Sequence, residues 1–365
     1  MFHLKTACAL CYRFFDVADS INLEKCRTLV TTTRPLALTR EGSEFIRLSN
    51  PPLALELGSR RLTLKTGEHP VEVGARIFDH GAIAIVVQVP IAAGTTIEAL
   101  VPIADDLYDA EGVQALAMGE VLKLQMQLTS AFEAPHLWSQ HEEYTVLFAR
   151  EIEGDPTAEQ LLEDPNLARL LLGEVKEKRL STQEVKEVLD NHFSYTARDL
   201  AIVEWNAMFL YEPTGSDDIV DLLEIANAQL LELRYYDDVL DKELGRLYET
   251  IDRKKHGSIL FSPYKRLLRE LMLNLIELSE FIERVENSLK IVGDVYLARV
   301  YESSVAQLRI REWGTQVARK HKLLQQTYDL LKGEVNTDRA LTLEIMVVLL
   351  ILLEIVVALT GITGH

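Results

Sequence analysis

Apolar and polar positions along this chain follow two different periods, and the change between them divides it. Up to about residue 212 the apolar residues come in short runs or strict alternation. ACALCYRFF reads as a strand followed by a short helix in SINLEKCRTLV, and RLTLKT, VEVGARIF, AIAIVVQVP and EYTVLFAREI read as further strands. Helical spacing appears between them at Thr96 to Asp106, Val113 to Leu128, Glu159 to Leu172 and Thr182 to Asn191. The run DLAIVEWNAMFLY, Asp199 to Tyr211, reads as one long buried strand returning to the same sheet. Strands mixed with helices in this way predict an α+β class, with a mixed α/β sheet domain over 1–212.

Beyond EPTGS, where Pro213 and Gly215 make a turn, the period becomes that of long helices. Ser216 is placed to cap the first, with Asp217 and Asp218 in its opening turn. Its apolar row runs Ile219, Leu223, Ala226, Leu230, Leu233, Asp237, Leu240, Leu244, Leu247, Ile251, alternating four and three as a heptad seam does. Gly257 and Pro263 mark a turn. A second seam follows from Leu268 to Val292, and a third helix from Asp294 carries Ile310, Trp313, Val317, Leu324, Tyr328, Leu331 and Val335. This predicts long antiparallel coiled-coil helices over 216–336, assembling as a homo-oligomer. Asp237 is the polar exception on the seam, placed either to fix register and subunit number or to reach a solvated edge or Arg234.

From Leu341 to Thr360 the sequence LTLEIMVVLLILLEIVVALT holds only Glu344 and Glu354 as charges. About 20 apolar residues match a hydrocarbon core about 30 Å thick, so one C-terminal transmembrane helix is expected over 340–361. In that setting Glu354 would meet a neighbouring chain or stay protonated. Arg319, Lys320, Lys322, Lys332 and Arg339 precede the run, which orients the remainder toward the cytoplasm as a tail-anchored, single-pass membrane protein. The hairpin turn offers Arg253, Lys254 and Lys255 beside apolar Ile259, Leu260 and Phe261, a surface for a partner or for membrane lipid.

Composition narrows the functional classes. Of 365 residues 38 are Lys or Arg and 56 are Asp or Glu, a net charge of -18, which argues against direct nucleic-acid binding as the main activity. Three cysteines, Cys8, Cys11 and Cys26, are too few for a disulfide framework, and Cys8 and Cys11 lack the second pair a zinc site needs. His136 and His141 with Glu142 and Glu143 form the one His and carboxylate cluster, at a spacing that matches no ligand motif. No dinucleotide, phosphate-loop, zinc-protease or nucleophile-elbow motif is present. The expectation is therefore a non-enzymatic, oligomeric scaffold or tether without a cofactor, with an unidentified protein bound by its head. The alternative is a channel or transporter component whose C-terminal helices line the path.

Taken together, ADSINLEKC, ARIFDHGAIAIVV, LLELRYYDDVLD and NTDRALTLEIMVVLLILLEIVVAL resemble the required-for-meiotic-nuclear-division family, a domain of unknown function. The match is closest at Ile77 to Gly81, IFDHG, and in the C-terminal helix with Glu344 and Glu354. The resemblance implies an oligomeric, non-enzymatic inner-membrane protein whose mitochondrial members support organelle translation. The lack of an Arg-rich presequence points to a bacterial-type member.

Overall fold

The computed structural model describes residues 2–33, 50–65, 67–108, 110–175, 180–254 and 294–362, together with 272, 276 and 279. The chain divides into two compact units: the first comprises Met1–Tyr235 and Asn287–Trp313, the second Tyr236–Glu286 and Gly314–His365.

In the first unit, strand β1 (Leu4–Asp16) lies at the middle of an eight-stranded sheet. Short β2 (Ser20–Ile21) and helix α1 (Leu23–Thr33) follow it, and β3 (Leu53–Leu64), β4 (Gly67–Ile77) and β5 (Ala82–Ile91) form an antiparallel meander. Helices α2 (Ile97–Tyr108) and α3 (Glu111–Gln127) lead to β6 (Phe132–Glu133), which pairs with β2, and then to β7 (Glu142–Ile152). After α4 (Ala158–Leu162), α5 (Asn166–Leu172) and α6 (Thr182–Asp190) come β8 (His192–Phe193), β9 (Leu200–Val203) and β10 (Ala207–Tyr211). The order across the sheet is β3-β4-β5-β1-β7-β10-β9-β8, antiparallel except for the pairing of β10 with β7. The α+β class with a large mixed sheet is as the sequence predicts.

From Cys11 to Asp16 every residue of β1 is buried, which requires cover on both faces. One face carries Ala9, Cys11 and Phe15 into a core shared with Leu100, Leu107, Val113, Val121 and Leu170 of the first six helices. The other presents Tyr12, Phe14 and Asp16 to helix α7 (Asp218–Lys254), whose Ile219, Leu223, Ala226 and Leu230 are buried. Ser216 accepts from Asp218 N at 3.2 Å but stands one residue ahead of the N-cap position, which is Asp217, whose carbonyl accepts from Asp221 N. Helix α8 (Val295–Gln307) covers β9 on this side and is capped by Asp294, whose carboxylate accepts from Tyr296 N and Leu297 N.

Two expectations are corrected here. DLAIVEWNAMFLY is not one strand but β9 and β10, folded back at Glu204 to Asn206, where Trp205 stands 52% exposed. The third helix is not continuous from Asp294: Arg309 adopts φ 51° and separates α8 from α9 (Ile310–Ile362).

In the second unit, Leu240, Leu244 and Leu247 of α7 and Val317, Leu324 and Leu331 of α9 are buried at heptad spacing. Asp237 pairs with Lys320 Nζ at 2.7 Å, as does Asp241. Met272 lies 3.9 Å from the Tyr328 hydroxyl and Ser279 lies 3.5 Å from His321. Arg253 and Lys254 close α7, but their side chains, and all of Lys255, Ile259, Leu260 and Phe261, lie outside the described residues.

The C-terminal segment departs from expectation. Among the described residues no helix is long and apolar enough to cross a membrane. The apolar stretch of α9 carries the carboxylates of Glu344 and Glu354, each costly to place in hydrocarbon. The transmembrane anchor is therefore corrected. So is the single-pass, cytoplasm-facing placement at an inner membrane that depended on it.

Candidate functional site

The densest polar chemistry of the first unit gathers where β1, the β4–β5 turn, the loop before β7 and α7 meet. The turn is IFDHG. Gly81, at φ +106°, packs so closely on the end of β1 that an added Cβ would lie 1.8 Å from Ala18 O. Gly81 O accepts from Val17 N at 3.0 Å and Asp79 O from Ile21 N at 2.8 Å, while Asn50 donates to the Asp79 carboxylate at 2.7 Å. This docking points His80 toward α7, where its Nδ1 lies 2.8 Å from Glu232 Oε1, and its ring stacks on Phe78.

Beside it, the loop from Ala134 to His141 is tied to β1 by His136 N to Val17 O at 2.9 Å and Trp138 N to Asp16 O at 3.0 Å, and to α3 by Gln125 Nε2 donating to His136 O. His136 Nε2 bonds to buried Asp16 Oδ1. Its Nδ1 faces Ala134 O at 3.1 Å, with Asp19 Oδ1 at 3.7 Å. Tyr235 of α7 stacks on this imidazole at 5.1 Å, and Trp138 meets Tyr235 edge-on. Burial pushes the Asp16 carboxyl up to about 6 against the pull of His136. For His136, burial pulls down, but the Asp16 hydrogen bond and charge, Ala134 O and Asp19 outweigh it and leave the imidazolium favoured.

The rest of the loop faces other partners. Glu142 is buried against Arg234, which also lies over the Trp313 ring at 5.8 Å; burial pushes the Glu142 carboxyl up to about 7. Glu143 pairs at 3.1 Å with Arg13, a buried guanidinium that also donates to Tyr12 O and Tyr108 O. His141 stacks on Phe15 and lies 3.4 Å from Gln114 Nε2; burial, then Arg13 and Arg234, hold it below the usual range. Further along the sheet, Glu224 of α7 accepts from Tyr12 Oη and Arg76 Nε, each at 3.0 Å.

Chemically this is a clasp more than a reaction centre. Both nitrogens of His136 are engaged, so the ring is held in place and not offered as a base. Among the described residues no group of three or more His, Cys, Asp or Glu is placed to hold a metal ion. Cys8, Cys11 and Cys26 are free thiols pushed up to about 11 by burial, far from the reactive thiolate. A cavity of about 410 Å³ lined by Phe2, Ile97, Glu98, Gln160, Glu163 and Asp164 lies elsewhere, but Gln160 caps Thr157 and Asp164 accepts from Asn166, so these polar groups finish helix ends.

Of the residues singled out from sequence, His136 and His141 do mark this region, yet they face different partners. Asp237 belongs to the second unit, paired with Lys320. Glu344 and Glu354 are exposed on α9. Asp16, Asp19, Glu232, Arg234 and Tyr235 were not legible, because each meets its partner across 90 or more residues. The available signal was IFDHG, whose His80 is the residue the motif aims at α7.

A model of the family described as "Uncharacterized protein MJ0711, N-terminal domain" matches residues 6–218. A Methanocaldococcus jannaschii protein with the same description, "Uncharacterized protein MJ0711", is 28% identical over 197 residues, which is 54% of this chain and 59% of that protein. The chain thus spans less than two thirds of the relative's length. No solved structure matches. The matched region includes IFDHG but not the C-terminal helix, and the relative is archaeal; neither finding supports the meiotic-nuclear-division assignment or a bacterial-type member. The chain belongs to the MJ0711 N-terminal domain family.

Proposed function

We propose that this member of the MJ0711 N-terminal domain family is a non-enzymatic, self-associating scaffold: the sheet domain binds a protein partner and α9 joins copies of the chain. The observation that carries the reading is the distal part of α9. The consecutive residues Met346, Val347, Val348, Leu349, Leu350 and Ile351 are each 51–62% exposed, and so stand on all sides of the helix. A helix apolar all round belongs inside a bundle, and one neighbour could cover only one side. Further copies of this chain are the occupants this surface favours, because Ile345 and Leu352 resume, past Asp338, the seven-residue row of Val317, Leu324 and Leu331, and identical helices answer each other's need in closed symmetry. The channel alternative requires a membrane-crossing helix, which the described residues do not supply.

Light scattering on the full chain tests this. The expected result is a defined multiple of 41.3 kDa, reduced to one chain by Leu350→Glu with Leu353→Glu while circular dichroism is unchanged. A wild-type chain that remains at 41.3 kDa at high micromolar concentration, or a double variant with the wild-type mass, overturns the reading. Capture by lipid vesicles in place of self-association does so as well.

A further inference from the structure

Within the first unit, one stretch of α7 is gripped almost entirely by ionisable groups. Glu232 meets His80, Arg234 meets Glu142, and Tyr235 lies on the His136 ring, with Trp138 against its edge. Upstream, Leu223, Ala226 and Leu230 give the helix an apolar seat that does not titrate.

The His136 ring faces acceptors on both sides: a carboxylate oxygen of Asp16 at Nε2 and a carbonyl oxygen of Ala134 at Nδ1. A neutral imidazole can donate from only one nitrogen, and its other lone pair would then face an oxygen. An imidazolium against the Asp16 carboxylate satisfies both contacts, as does a neutral ring whose Nε2 accepts from a protonated Asp16, so the arrangement requires one proton on the pair. Deprotonation also leaves buried Asp16 as a charge without its cation.

We propose that the loop from Ala134 to Glu142 carries a proton-operated latch on α7: with the His136–Asp16 pair protonated, the His136 ring holds the Glu232–Tyr235 stretch on the sheet through Tyr235, and as the pair loses its proton the hold weakens while the sheet stays paired. The groups facing the His136 end are Asp16 and Asp19 at the end of β1, Glu133 of β6, His80 of the β4–β5 turn, and Glu232 and Tyr235 of α7. Those facing Glu142 are Glu143, Arg234 and His141, with Arg13 behind them.

The directions agree. A His raised in the folded state contributes stability below about 6.5 that is lost as pH rises through its folded value. Asp16, raised to about 6, acts likewise below that pH. His141, held low, opposes them by disfavouring the folded state below about 6.5. The latch is therefore tight near pH 6 and loosens toward pH 8.5.

Amide exchange on the full chain, read by mass spectrometry at pH 6, 7 and 8.5 and corrected for intrinsic rates, tests the latch. Protection of 228–235 is expected to fall about tenfold or more, one pK unit of linkage, while β1 and β5 amides remain protected. In His136→Gln and in Asp16→Asn most of that fall disappears. A flat wild type, a full fall retained in the variants, or loss of β1 and β5 protection in step overturns the latch. Should the variants fail to fold, imidazole titration by NMR on the wild type decides: a His136 value above about 6.5 supports it and one below overturns it.

Discussion

Replacing Gly81 with alanine tests whether the IFDHG turn is a structural keystone. At φ +106° an L-residue is strained by about 1–2 kcal/mol. The larger effect is steric: the new Cβ would lie 1.8 Å from Ala18 O and 2.9 Å from Ala18 C, both backbone atoms that cannot rotate away. Moving the turn clear lengthens the bonds from Val17 N to Gly81 O and from Ile21 N to Asp79 O, now 3.0 and 2.8 Å. Val17 and Ile21 are buried, so each unsatisfied group costs about 1–3 kcal/mol. The sum is about 3–8 kcal/mol, a large part of the roughly 5–15 kcal/mol that holds a domain folded. Urea unfolding followed by tryptophan fluorescence reads this out cleanly, because Trp138, Trp205 and Trp313 all belong to the first unit. Gly67→Ala is the matched control: φ is +123° but nothing lies within 4 Å of its Cβ, so only the strain remains. A Gly81→Ala chain that loses no more than Gly67→Ala refutes the close-packing argument.

Two further substitutions probe the packing of α7 and α9. Arg76→Met strands the buried Glu224 carboxylate with only Tyr12, so the same fluorescence assay should show a loss of about 3–5 kcal/mol, most of it recovered when Glu224→Leu is added. Leu324→Ala empties a buried seam position of the second unit and should cost about 2–5 kcal/mol, measured as a shift in the helical circular dichroism transition.

Legibility followed the range of the interactions. β4, GEHPVEVGARI, alternates because solvent and core take turns, and β5 reads as an apolar run because both its faces are covered; the sequence reports such local facts directly. Asp199 to Tyr211 misled because no Gly or Pro stands at its reversal. The turn is made by Glu204, whose carboxylate accepts from Trp205 N at 2.8 Å, a device that composition hides. Arg309 breaks the last helices in the same unmarked way, at φ 51°. The loop holding His136 and Glu142 was visible as a cluster of chemistry, but Asp16 lies 120 residues and Arg234 92 residues from its partner, beyond any local pattern.

Why α7 should carry charges into a buried face follows from the alternatives open to a seam. Apolar rows spaced three and four are nearly self-similar on sliding by one turn, so Leu223, Ala226 and Leu230 alone would accept several registers on the sheet. Glu224, Glu232 and Arg234 do not. They meet Arg76, His80 and Glu142, which stand at fixed places on β4, its turn and β7, and a four-residue slip would leave all three buried and unmatched. Each unmatched charge would cost several kcal/mol, whereas the intact pairs add little net stability, so their effect is to exclude the wrong registers. The three are not equivalent, however. Glu224 is buried against Tyr12 and Arg76, well away from the loop that carries His136, and fixes the register of α7 there. The pairs at Glu232 and Arg234 lie beside Tyr235, which rests on the His136 ring, so the end of the docked stretch is the part whose hold depends on protons.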